Sequence, residues 1–200
     1  MGSSTRYKES PSQTAGPYVH IGCTPNFVDV QGVYSADLGV GPNADFDVNL
    51  RGADMSGERI TITGKIYDGA GGLVTDAMVE TWQTDAQGQY PAADAAFSGW
   101  ARQACDLTTG VFTFQTIKPG CIATSTDRQS PHVSIWIVAR GINLGLHTRI
   151  YFADEDNSAD PVLALIEPAR RQTLIASQQG GAYVFNVRLQ GENETVFFDL

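Results

Sequence analysis

An all-β chain, an antiparallel β-sandwich behind an extended N-terminal arm with one or two short helices, is what three features of the sequence predict. Short apolar runs with period-two alternation recur from Arg59 onward, glycine and proline punctuate them at close intervals, and the convincing helical pattern is confined to the stretch after Asp160. No internal repeat or low-complexity block interrupts this texture.

Residues 1–57 are rich in Gly and Asp and lack sustained periodicity, which reads as an arm serving a partner interface and a pocket. The core domain is assigned to residues 58–200. Ile60, Ile62, Gly64 and Ile66 alternate with Thr61, Thr63, Lys65 and Tyr67, and a turn at 68–72 precedes Leu73 to Gln83, which predicts a β-hairpin. Val111 to Ile117 is a strand that starts after the Thr109-Gly110 turn and stops at Lys118-Pro119-Gly120, because proline cannot extend the ladder. His132 to Ala139 and Thr148 to Phe152 are rich in β-branched and aromatic residues and form a further antiparallel pair. Pro161 opens a short turn, and Pro168 precedes a helix over Ala169–Ser177 that covers a sheet edge. Ala182 to Gln190 and Val196 to Leu200 close the fold, for about eight strands in all.

With 42% hydrophobic and 18% charged residues, the 200-residue chain has the composition of one globular domain. A formal charge of −9 and the lack of any Lys/Arg-rich run argue against nucleic acid or an anionic membrane surface, both of which need a basic face. No stretch has the apolar length of a membrane span, and the first residues lack the apolar core of a secretory signal, so a cytoplasmic protein is expected. Cys23, Cys105 and Cys121 are odd in number and show no C-x-x-C spacing, the pattern of reduced thiols rather than a disulfide framework or a zinc site.

Metal-binding chemistry is present only in fragments. His20, His132 and His147 lie far apart, and a strand that offered two imidazoles to one ion would need them at 132 and 134, where position 134 is Ser. Tyr90, at a strand-to-loop exit, is the residue type whose phenolate suits ferric iron. Taken singly, Tyr90 also reads as an amphipathic rim residue and His132 as a satisfied core histidine.

Ordered blocks carry more than single residues do. Pro11 to Tyr18 (PSQTAGPY), Gly64 to Gly69 (GKIYDG), Glu80 to Tyr90 (ETWQTDAQGQY), Thr116 to Gly120 (TIKPG), Pro131-His132, His147 to Phe152 (HTRIYF) and the ending from Gly191 (GENETVFFD) together resemble the intradiol ring-cleaving dioxygenases over nearly the whole chain from Pro11. The resemblance implies that Tyr90 and His132 stand at two of four Fe(III)-ligand positions, while Ile122 and Ser134 replace the second tyrosine and second histidine. It therefore implies no catalytic residue and no metal in this chain, and Fe(III) held instead by a homologous β chain in an α/β hetero-oligomer. Thr14, Gly16, Pro17 and Tyr18 are the residues implied to wall the partner's aromatic substrate pocket. Gly16 permits close backbone approach, Pro17 fixes φ, and Tyr18 offers a flat face and a hydroxyl. Arg140 is implied either to orient a substrate carboxylate or to hold the interface. Two alternatives stay open: a self-sufficient catechol-type dioxygenase, and a non-catalytic β-sandwich binding module.

Overall fold

The computed structural model describes residues 14–19, 23–24, 56–91, 97–123 and 125–199. Most of the arm, including His20 and residues 11–13, lies outside the described residues.

Eleven strands are present among them: β1 Arg59–Tyr67, β2 Met78–Gln83, β3 Trp100–Ala104, β4 Val111–Ile117, β5 Ile122–Ala123, β6 Arg128–Gln129, β7 His132–Val138, β8 Leu146–Phe152, β9 Ile175–Gln179, β10 Ala182–Val184 and β11 Val187–Arg188. One long sheet runs in the order β11-β1-β10-β9-β8-β7-β2-β3, with β4 also paired to β1, while β5 and β6 form a separate small hairpin. Gln103 on β3 accepts from the Thr113 amide on β4, so the two ends of the sheet meet and the layers face each other in a sandwich. Inward residues of β1 and β4 (Ile60, Ile62, Ile66, Phe112, Phe114) pack with those of β2, β7 and β8 (Val79, Val133, Ile135, Ile137, Ile150) in one core. The alternation is the cause: apolar residues recur at inward positions of these strands, and turning that face inward removes them from water, while Thr81, Gln83 and Thr148 are buried polar residues on the same strands.

The all-β class holds, but the sheet is mixed. β1 pairs parallel with β10 and β11, and β8 pairs parallel with β9. The expected hairpin between β1 and β2 does not form. The turn at 68–72 makes a single bridge, Tyr67 to Leu73, after which the chain crosses to the other layer, so that β1 pairs with β4 and β2 with β3 and β7. The helix expected over 169–177 is also shorter: α1 spans Pro161–Ala164, α2 spans Pro168–Arg171, and a 3₁₀ turn Gln172–Leu174 leads into β9. Of the strand expected over Val196 to Leu200, the described residues 196–199 contribute a lone bridge, Phe198 to His147.

Asp160 caps α1 through Oδ1, which accepts from the Val162 and Leu163 amides at 2.9 Å each. The two helices cover one end of the β7–β8 outer face, where Tyr151, Leu163 and Leu174 make a second small core. Lys118 pins the opposite layer. Its ammonium lies 2.7 Å from Asp154 and 2.6 Å from Glu155, and the Tyr183 hydroxyl donates to the same Asp154. Burial alone would lower the Lys118 pKa, but these partners hold it above the ordinary lysine value.

Candidate functional site

The outer face of β2, β7 and β8 carries the site, because β pairing places there the residues that alternate with the core positions. Ser134 is paired with Trp82 on one side and Arg149 on the other, and His132 is paired with Tyr151. Cross-strand partners share a face, so His132, Ser134, Trp82, Arg149 and Tyr151 form one surface.

Two loops frame it. Asp85 Oδ1 accepts from the Gln87 and Gln89 amides at 2.9 Å each, a side-chain-stabilised turn that delivers Tyr90. The Gly120 amide donates to the Asp85 carbonyl at 2.8 Å, which ties this turn to the segment leading into Ile122. Beneath them, buried Gln83 donates to the Ile117 carbonyl and accepts from Thr116. Tyr90 stacks on Trp82 at 5.9 Å between ring centroids, and both side chains stay open to solvent, at 49% and 44% exposure. Ile122 pairs with Gln129 in the β5–β6 hairpin.

His132 is 4% exposed; its Nδ1 lies 2.8 Å from the Ser130 carbonyl, and its ring packs against Tyr151 at 5.5 Å. Burial pushes its pKa down to about 4, with the Arg149 guanidinium adding to the effect, while the Ser130 carbonyl and Asp160 act in the other direction. Tyr151 donates to Asp160 Oδ1 at 3.2 Å, and burial raises its pKa to about 12, so it remains a phenol. Arg149 donates through Nη1 to Gln129 Oε1 at 2.9 Å and to the Tyr151 hydroxyl at 3.4 Å.

This donor set does not fit ferric iron. Ile122 supplies no donor atom, Ser134 supplies a neutral hydroxyl, Tyr90 lies against Trp82, and a guanidinium projects into the face where an ion would need anionic ligands. Among the described residues no three His, Cys, Asp or Glu side chains are grouped as metal ligands.

The second predicted cluster is drawn together at the other end of β7. Thr14 Oγ1 donates to the Ala139 carbonyl at 3.2 Å and accepts from the Gly141 amide at 3.1 Å, so the arm docks on the turn that carries Arg140. Gly16 has a φ of 80°, a left-handed conformation that costs glycine nothing. Pro17 and Tyr18 project outward, Tyr18 with 73% of its surface exposed. Arg140 Nε lies 3.3 Å from Asp76 Oδ2, yet 70% of its side chain remains accessible, leaving donors for a further anion. The adjoining cavity of about 480 Å³ is lined by Asp68, Asp76, Arg140, Ile142, Leu146 and Leu189, among others.

The sequence reading gave no site role to Arg149, Asp76 or the three tryptophans Trp82, Trp100 and Trp136, which with His147 and Ser134 line a cavity of about 230 Å³. A signal for Arg149 was available: within His147 to Phe152, period two puts 147, 149 and 151 on one face. Which face of the neighbouring strand they would join was not written in the run itself.

Residues 33–191 match the family described as Dioxygenase. The chain is 44% identical to the protocatechuate 3,4-dioxygenase alpha chain of Pseudomonas putida, covering 96% of each, and 38% identical to that of Burkholderia cepacia, covering 98% of this chain and 100% of the relative. It is also 29% identical to the beta chain of the Burkholderia cepacia protein, over 82% of this chain and 78% of the relative. An intradiol ring-cleavage dioxygenase from Tetranychus urticae shares the fold with a TM-score of 0.56 at 17% identity, over 72% of this chain and 85% of that one. The dioxygenase domain of a carbohydrate-binding fusion from Streptomyces sp. SirexAA-E does so at 0.55 and 23%, over 75% and 88%. A family match across most of the chain, and near-full-length identity to two alpha chains, establish that this protein belongs to the intradiol dioxygenases, among the protocatechuate 3,4-dioxygenase alpha chains.

Proposed function

We propose that this chain is the alpha subunit of a protocatechuate 3,4-dioxygenase, assembled with a homologous beta chain that carries the catalytic Fe(III). The complex inserts both atoms of O2 into protocatechuate between the hydroxyl-bearing carbons, giving 3-carboxy-cis,cis-muconate in the β-ketoadipate pathway. The observation that carries this reading is a family metal face without a workable donor set, in a chain similar from end to end to alpha chains.

The share of this chain is pocket shape and assembly. Its domains are the arm, 1–57, which reaches the partner, and the core, 58–200. Thr14, Gly16, Pro17 and Tyr18 form a wall of the partner's pocket, held in register by the two Thr14 hydrogen bonds to the Arg140 turn. Arg140 attracts and orients the substrate carboxylate with a planar pair of donors, and the flat Tyr18 ring excludes water from the aromatic ring beside it. The free state of Cys23, Cys105 and Cys121 suits a reducing cytoplasm.

Coexpression with the beta homologue, followed by size-exclusion chromatography, iron analysis and O2 uptake with protocatechuate, tests the assignment, with each chain alone as control. Iron and turnover are expected only in the mixed complex. Iron-dependent turnover by this chain alone would overturn the reading. In the same complex, Arg140→Ala is expected to raise KM for protocatechuate by about tenfold or more with a smaller change in kcat, the loss of one charge-assisted contact of ~1.5–3 kcal/mol. An unchanged KM would confine Arg140 to its pairing with Asp76.

A further inference from the structure

We propose that Arg149 is the resident cation of the vestigial metal face, a built-in positive charge that keeps a metal ion out even when ligands are restored. The inference rests on the assignment of positions 90, 122, 132 and 134 made above, and adds the reason why those positions do not hold a metal.

The geometry converges on the guanidinium. Arg149 stands directly across from Ser134 in the β7–β8 ladder, and the next pair on that face is His132 with Tyr151. Its Nη1 reaches Gln129 Oε1 at 2.9 Å, and Gln129 is the hairpin partner of Ile122. It also reaches the Tyr151 hydroxyl at 3.4 Å. One side chain thus bridges the strand carrying two of the four positions and the hairpin carrying a third. The Phe198 ring, 5.9 Å from Arg149 Cζ, contacts the same group.

Two physical effects follow. The guanidinium repels any cation added to this half-buried face, where screening by water is incomplete. It also engages the oxygens of Gln129 and Tyr151, the neutral donors an ion would otherwise draw upon. No carboxylate neutralises it directly: among the described residues its hydrogen bonds run to Gln129 and Tyr151, and Asp160 is reached only through the Tyr151 hydroxyl. Asp160 is itself occupied by the amides of Ser130, Val162 and Leu163.

The test compares three forms of the full chain: the parent, Ile122→Tyr/Ser134→His, and the same pair with Arg149→Met. Each is incubated aerobically with ferrous salt, passed through a desalting column, and assayed for iron per chain and for the visible tyrosinate-to-iron charge-transfer band. The form carrying Arg149→Met is expected to retain about tenfold or more iron than the double variant and to show the band. Arg149→Lys in the same background is expected to stay iron-poor, because the charge is kept. Equal retention with and without Arg149, whether high or near zero, overturns the proposal; Arg149→Gln serves in place of Arg149→Met if that chain fails to fold. Stoichiometric iron with the charge-transfer band in the unaltered parent would instead overturn the functional assignment beneath it.

Discussion

Gly88→Ala is expected to destabilise the chain by about 3 kcal/mol or more and to lower Tm by about 10 °C. Gly88 adopts a φ of 77°, and a Cβ added there would lie 1.9 Å from the Cys121 carbonyl oxygen. That contact is with backbone, so no rotamer change relieves it. Either the Asp85–Gln89 turn or the Gly120–Cys121 segment must shift, and these are the pieces that position Tyr90 and Ile122. The left-handed conformation adds a penalty of ~1 kcal/mol for any residue with a Cβ. Gly71→Ala separates the two effects, because Gly71 has a φ of 81° with nothing within 4 Å of the added carbon. It is expected to lose only the conformational part, about 1 kcal/mol. Thermal melts of the two variants beside the parent decide the matter: equal losses would mean that the close approach at Gly88 contributes nothing.

Three strands were legible because their local signal and their tertiary environment agree. β1, β4 and β7 alternate cleanly and end at glycine or proline, and each was placed nearly residue for residue. Pairing was not legible. The turn at 68–72 has the composition of a hairpin loop, but the residues after it, 74–77, carry the chain to the other layer, and β1 finds in β4 a partner more than forty positions away. Ile175 to Gln179 likewise has no local mark of a strand. It is drawn into the ladder by β8 on one side and β10 on the other, which overrides the helical reading begun at Pro168.

At the site, the expected donors could be checked against the sequence, since Ile122 and Ser134 fall two residues after the TIKPG and Pro131-His132 blocks, where the resemblance implies a tyrosine and a histidine. What stands in their place could not. Arg149 acquires its meaning from the register of β7 against β8 and from the β5–β6 hairpin, both long-range facts. The Thr14 contact with the Arg140 turn spans 125 residues to Ala139 and is equally invisible to spacing. Resemblance named both members of that cluster, and the fold brings them together.

Buried His132 makes the stability of the isolated chain depend on pH in a defined window. Its folded pKa, about 4, lies below the ordinary 6.5, chiefly because burial disfavours the imidazolium and next because Arg149 adds a like charge. Above pH 6.5 neither the folded nor the unfolded state binds the proton, and His132 adds no pH dependence. As pH falls from 6.5 toward 4, the unfolded state takes up the proton and the folded state does not, so stability is lost; below 4 the loss levels off. At pH 4.5 the penalty amounts to about 2–3 kcal/mol. His132→Gln, which keeps an N–H for the Ser130 carbonyl, removes this linkage while leaving the carboxylates to titrate as before. Urea unfolding at pH 7.5 and 4.5 should therefore show the variant losing about 2–3 kcal/mol less than the parent between the two values. Identical losses would mean that the imidazole is protonated inside the folded chain. A cation would then sit beside Arg149, against the desolvation and like-charge repulsion that the geometry of this face imposes.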